Sequence, residues 1–107
     1  MSKTLFTQAV IKVILSIPYG KVSTYGRVAA MAGNARAARQ VARVLHTCSQ
    51  GEELPWHRVV NREGRISLKK YHGYEEQKAL LEKEGVLFSV EECIDLEEYL
   101  WVPNCSK

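Results

Sequence analysis

The chain reads as an α+β domain, mainly helical, of the winged helix-turn-helix type. Three observations predict this. An apolar line recurs at helical spacing over residues 4–16. Two short helical segments follow, joined by Gly33-Asn34. A pair of β-branched residues, Val59-Val60, then leads through a turn at Asn61–Gly64 to a possible return strand, Arg65-Ile66-Ser67.

Each element has a local reason. In residues 4–16, Phe6, Val10, Val13, Ile14 and Ile17 share one stripe, and Pro18 and Gly20 end the helix. Gln8 and Lys12 interrupt the apolar stretch, so it reads as the first helix rather than as a signal peptide. Val22-Ser23 is a short extended piece. Thr24 caps a helix over Tyr25–Ala32 that Gly33 closes, and Asn34 is the expected cap of a helix from Ala35 to about His46. Ala35, Ala38, Val41, Ala42 and Leu45 give that helix an apolar face. Arg36, Arg39 and Arg43 recur at i, i+3 and i+7 on the opposite side. Small residues and arginines suit a helix lying close to a DNA backbone. Gly51 to Pro55 is expected to turn into Trp56-His57-Arg58-Val59-Val60, and the hairpin to residue 67 would be the wing. Residues 75–84 form a helix stopped by Gly85, and Leu96, Tyr99, Leu100 and Trp101 a short helix packing back on the core.

With 107 residues, residues 1–107 make a single domain. The hydrophobic share of 46% is that of a soluble globular protein, and no apolar run reaches the roughly 20 residues of a membrane span. A net charge of +3 permits nucleic-acid binding without demonstrating it. Cys48, Cys93 and Cys105 are odd in number and widely spaced. That argues against a disulfide framework or a metal knuckle, and for a reducing compartment: the cytoplasm, in company with the bacterial nucleoid, or the nucleus of a eukaryote. No metal or cofactor is expected.

Pro55-Trp56-His57-Arg58-Val59-Val60 carries the most chemistry. It resembles the active-site motif of the O6-alkylguanine-DNA alkyltransferases, Pro-Cys-His-Arg-Val-[Ile/Val], with tryptophan in place of the alkyl-accepting cysteine. Ile17–Gly26, Gly33–Val41 and the Leu-x-x-Glu-Gly ending at Gly85 match the same family in the same order. The cysteine-to-tryptophan form is that of the alkyltransferase-like branch. An alkyltransferase attacks the alkyl carbon with a thiolate activated through histidine. Indole nitrogen is a donor only, so Trp56 removes the nucleophile and leaves an aromatic wall.

The resemblance implies the other roles. His57 and Glu84 match the histidine and the glutamate that orients it; with no thiol to activate, they are expected to form a buried charge-assisted hydrogen bond beneath the pocket. Cys48 falls where the transferases carry the relay asparagine. Arg39 matches the arginine finger that fills the space of an extruded base, and Tyr25 the tyrosine that rotates the 3′ phosphate. Lys69 stands where related proteins carry a cationic residue over the lesion base; a phosphate contact is the equal alternative. The implied lesion pocket is Trp56, Pro55, Val59, Tyr25 and Lys69. The implied DNA contacts are Tyr25, Arg36, Arg39, Arg43 and Ser67. The expected function is non-enzymatic: a monomer binds duplex DNA through the minor groove, flips O6-alkylguanine against Trp56 and Val59, and hands the lesion to nucleotide excision repair proteins. The rivals are an active transferase, an inactive relic of the fold, and a winged-helix regulator without lesion preference.

Overall fold

The computed structural model describes residues 4–103, and of residues 48–52 the backbone alone. Helix α1 spans Leu5–Leu15, strand β1 Ser23–Thr24, α2 Tyr25–Met31 and α3 Ala38–Glu52. A 3-10 turn at Trp56–Arg58 leads into β2 (Val59–Val60), followed by α4 (Tyr74–Lys83) and α5 (Leu96–Tyr99). The class is the expected one, mainly helical α+β with a short sheet.

The early elements begin where their caps put them. The Thr4 hydroxyl accepts from the Thr7 N–H at 3.0 Å and the Thr24 hydroxyl from the Arg27 N–H at 3.2 Å, each satisfying a donor that the first turn leaves open. Helix α2 ends in a Schellman arrangement: Gly33 N–H donates to Ala30 and Asn34 N–H to Ala29, with Gly33 at a φ of +110°.

Asn34 does not cap α3. Its side-chain oxygen accepts from Arg36 N–H at 3.1 Å and its carbonyl from Ala37 N–H at 3.0 Å, so a turn occupies residues 34–37 and the helix starts at Ala38. The short carboxamide that suits a cap equally suits such a turn, and here the turn wins. Arg36 therefore precedes the helix. At its other end α3 runs on to Glu52, through Gly51, where a turn was expected.

The expected wing hairpin is also absent. Val59-Val60 pairs in parallel with Ser23-Thr24, in the register Ser23 to Val59 and Thr24 to Val60. Arg65–Ser67 is not a strand. Asn61 N–H still donates to the Arg65 carbonyl, but Gly64 is claimed by the C-terminal segment, its carbonyl accepting from Ile94 N–H at 2.8 Å. A side chain on Gly64 would collide with the Ile94 carbonyl, and its φ is +80°. Glycine is required there for both reasons.

Successive strand residues face opposite sides, so β2 joins two cores. Val59 packs with Val10, Ile14 and Ile17, Val28 and Ala29 from α2, Val41 and Val44 from α3, and Leu54. Val60 packs with Val22, Leu81, Val86, Ile94 and Tyr99. The C-terminal segment closes the second core. Val22 N–H donates to Tyr99, and Trp101 N–H donates back to Val22 at 2.7 Å.

Candidate lesion-binding site

Two hollows lie on neighbouring stripes of α3. The first, of about 540 Å³, is lined by Asn34, Arg36, Ala37, Arg39, Gln40 and Arg43. All three arginines are exposed, and none belongs to the ion pairs among the described residues. The turn at Asn34 sets Arg36 beside the helix start. Arg39 and Arg43 lie one turn apart, so the expected basic face survives the shift in the helix boundary.

The second hollow, of about 580 Å³, is lined by Tyr25, Ala42, Leu45, His46, Trp56, Val59, Ser67, Leu68, His72 and Gln77. That size lies within the roughly 300–1,000 Å³ of small-molecule pockets. Arg39, Ala42 and His46 follow one another at i, i+3 and i+7, and the last two line this hollow, so it shares a face of α3 with Arg39. Tyr25 enters as the first residue of α2, half-buried against the main core. Trp56 is held by the 3-10 turn, its N–H donating to Leu54 at 2.8 Å, and its ring meets His57 edge-on at 6.1 Å.

Of the five residues expected in the pocket, the structure assembles Tyr25, Trp56 and Val59. Pro55 is not in its lining; its carbonyl accepts from Arg58 N–H at 3.0 Å and so builds the turn that presents Trp56. Lys69 is not in the lining either. It is exposed on the loop after Ser67, where its carbonyl accepts from His72 N–H, while its neighbour Leu68 takes the apolar wall. Ser67, expected on DNA, lines the hollow. Ala42, Leu45, His46, Leu68, His72 and Gln77 were not anticipated. For Ala42 and His46 the signal was available in their helical spacing from Arg39.

Beneath the motif lies a compact ion cluster. The Glu84 side chain is 6% exposed and accepts from His57 Nε2 at 2.6 Å and from Arg58 Nη2 at 2.8 Å. Arg58 Nε adds bonds of 3.0 and 3.1 Å, and Gly20 N–H one of 2.8 Å. Arg58 Nη1 also donates to the Ile17 carbonyl at 2.9 Å. Because the carboxylate can only accept, His57 Nε2 carries its proton. Burial pushes the Glu84 carboxyl up, but Arg58, the Gly20 N–H and His57 outweigh it and hold the group at about 2. The His57–Glu84 bond is where the sequence put it. Arg58 was not anticipated, although it supplies more of the bonds.

The thiol of Cys93 donates to the Glu63 carbonyl at 3.3 Å, away from the hollow, while the Cys48 side chain and Cys105 lie outside the described residues. No cluster of three or more His, Cys, Asp or Glu able to hold a metal ion occurs among the described residues, and no helix among them is long and apolar enough to cross a membrane.

Residues 5–86 match the family described as 6-O-methylguanine DNA methyltransferase, DNA binding domain. The chain is 50% identical over 96 residues to a DNA base-flipping protein of Escherichia coli, covering 90% of this chain and 74% of that protein. It is 40% identical over 103 residues to alkyltransferase-like protein 1 of Schizosaccharomyces pombe, covering 92% and 95% of the two. The crystal structure of S. pombe Atl1 in complex with damaged DNA containing O6-carboxymethylguanine superposes with a TM-score of 0.81 at 38% identity, over 96% of this chain and all of that one. The Mycobacterium tuberculosis O6-methylguanine methyltransferase superposes with a TM-score of 0.61 at 33% identity, over 78% of this chain and 50% of that one. The chain therefore belongs to the alkyltransferase-like branch of the 6-O-methylguanine DNA methyltransferase DNA-binding-domain family.

Proposed function

We propose that this protein binds duplex DNA bearing O6-alkylguanine, rotates the damaged base out of the stack, and holds it without removing the alkyl group. The observation that carries this reading is the place of Trp56. It walls a hollow of about 580 Å³ that α3 also lines, through Ala42 and His46, beside the hollow of Arg36, Arg39 and Arg43. A flipped base needs such a concave, partly apolar receptacle beside a backbone-binding surface, because extrusion costs a few kcal/mol of lost stacking that must be offset by contacts in the pocket. Tyr25, Trp56, Val59 and Leu68 offer aromatic and aliphatic surface to the base and its alkyl group. Arg36, Arg39 and Arg43 offer charge to phosphates, and Arg39 is the residue to occupy the gap left in the stack from the minor-groove side. Lys69, exposed outside the hollow, suits a phosphate contact.

With an indole where a transferase has its thiolate, the histidine–glutamate pair has nothing to activate in the pocket and acts as structure. The outcome is a persistent protein–DNA complex. On this reading a monomer in the DNA-containing compartment marks the lesion for nucleotide excision repair. The similarity to a DNA base-flipping protein and to S. pombe Atl1, which was crystallised with damaged DNA, supports lesion binding.

The test compares binding to a duplex containing one O6-methylguanine with binding to its undamaged twin near physiological salt. A clear preference for the lesion, abolished in Trp56→Ala, is expected. Equal affinity for the two duplexes would leave a general DNA-binding domain instead.

A further inference from the structure

Gln77 occupies an unusual position. It lies on α4, is 2% exposed, and lines the hollow. Its Nε2 donates to two backbone carbonyls, those of His57 at 3.1 Å and Val59 at 3.0 Å. Two carbonyl acceptors on one side of a carboxamide fix which end is nitrogen, and they use both of its N–H groups. What the side chain has left is Oε1, which can only accept. The other polar side chains in the lining differ. Tyr25 and Ser67 carry hydroxyls that both donate and accept, Trp56 only donates, and a neutral imidazole offers one of each.

The chemistry of the ligand completes the argument. Guanine loses its N1 proton on O6-alkylation, and N1, N3 and N7 are then all acceptors. The exocyclic 2-amino group is the one donor left on the base. We infer that Gln77 is a specificity-determining residue: its Oε1 accepts a hydrogen bond from the 2-amino group of the extruded base, selecting 2-aminopurine-type lesions over adducts lacking that group. The inference rests on the lesion-binding reading above and deepens it. The carbonyl clamp gives the contact its precision, because the group that reads the base is oriented by the same strand turn that presents Trp56.

The experiment measures affinities for duplexes containing guanine, O6-methylguanine or O6-methylhypoxanthine, the last lacking only the 2-amino group. These are determined for the wild-type chain, Gln77→Lys and Gln77→Leu. Lysine retains N–H donors for the two carbonyls and has no acceptor; leucine lacks both. The energy of extruding each base belongs to the DNA and cancels when the wild-type ratio of O6-methylguanine to O6-methylhypoxanthine affinity is divided by the variant ratio. One hydrogen bond predicts a quotient of about 3–10 for both variants. A merely structural clamp would weaken all three duplexes alike and give a quotient of one, which would overturn the inference while leaving lesion binding intact. Should the wild-type chain fail to prefer O6-methylguanine over guanine, the lesion reading falls and this inference with it. If Gln77→Lys does not fold, a quotient of one in folded Gln77→Leu still overturns the proposal.

Discussion

Arg58 and the trio Arg36, Arg39 and Arg43 are the same residue type in opposite circumstances. Arg58 spends its guanidinium on Glu84 and the Ile17 carbonyl, tying the Trp56 turn to the segment just after α1 and to the end of α4. The trio, on the turn and first half of α3, is exposed and enters no ion pair among the described residues. The first kind of arginine fixes the pocket, and the second is available to phosphate. An arginine's partner inventory, more than its position on a helix, therefore separates support from binding surface.

Breaking the buried cluster should have the largest effect. Glu84→Ala leaves Arg58 and His57 without their common acceptor, and removing one member of a buried pair typically costs about 3–5 kcal/mol. Chemical denaturation should show that loss, whereas Arg39→Ala should leave the midpoint within about 0.5 kcal/mol of wild type. The same cluster sets an acid limit. Glu84 titrates at about 2 in the folded chain against an ordinary 4.5. Its stabilisation is full above pH 4.5 and is lost as the pH falls from there toward 2, because the unfolded chain takes up the proton first. The displacement corresponds to about 3 kcal/mol, and pH-dependent unfolding of Glu84→Gln should lack that portion of the acid slope.

On the binding side, Trp56→Ala should lower affinity for an O6-methylguanine duplex by about tenfold or more while changing affinity for undamaged DNA much less, as titration of both duplexes would reveal. The smallest effect belongs to a single exposed arginine. Arg43→Ala should weaken both duplexes a few-fold and lower the slope of log affinity against log salt by about one. A change confined to the lesion duplex would move Arg43 from phosphate contact to base recognition and blur the comparison.

What could be read from the sequence follows the range of the interactions involved. The caps at Thr24 and Gly33 act within four residues, and α2 begins and ends where they place it. Asn34 has two local uses, cap and turn, and nothing nearby in the sequence decides between them. The wing failed for a long-range reason. Val59-Val60 finds its partner at Ser23-Thr24, and Gly64 bonds to Ile94, contacts that alternation along the chain does not encode. In the site, the motif carried Tyr25, Trp56, Val59 and the His57–Glu84 pair. Gln77 left a fainter trace, a polar residue one turn before buried Leu81 on α4, which marks a polar group on an inward-facing stripe. Lys69 and Pro55 were placed by motif position, and neither lines the hollow.

Holding a lesion without altering it is most directly tested by mixing the protein in slight excess with a duplex whose single O6-methyl group is tritiated, isolating the complex, and then denaturing it. The label should travel with the complex and, after denaturation, remain wholly on the DNA as O6-methylguanine. Label bound covalently to protein would contradict the account by showing transfer, and label that never enters a complex would contradict it by showing no recognition.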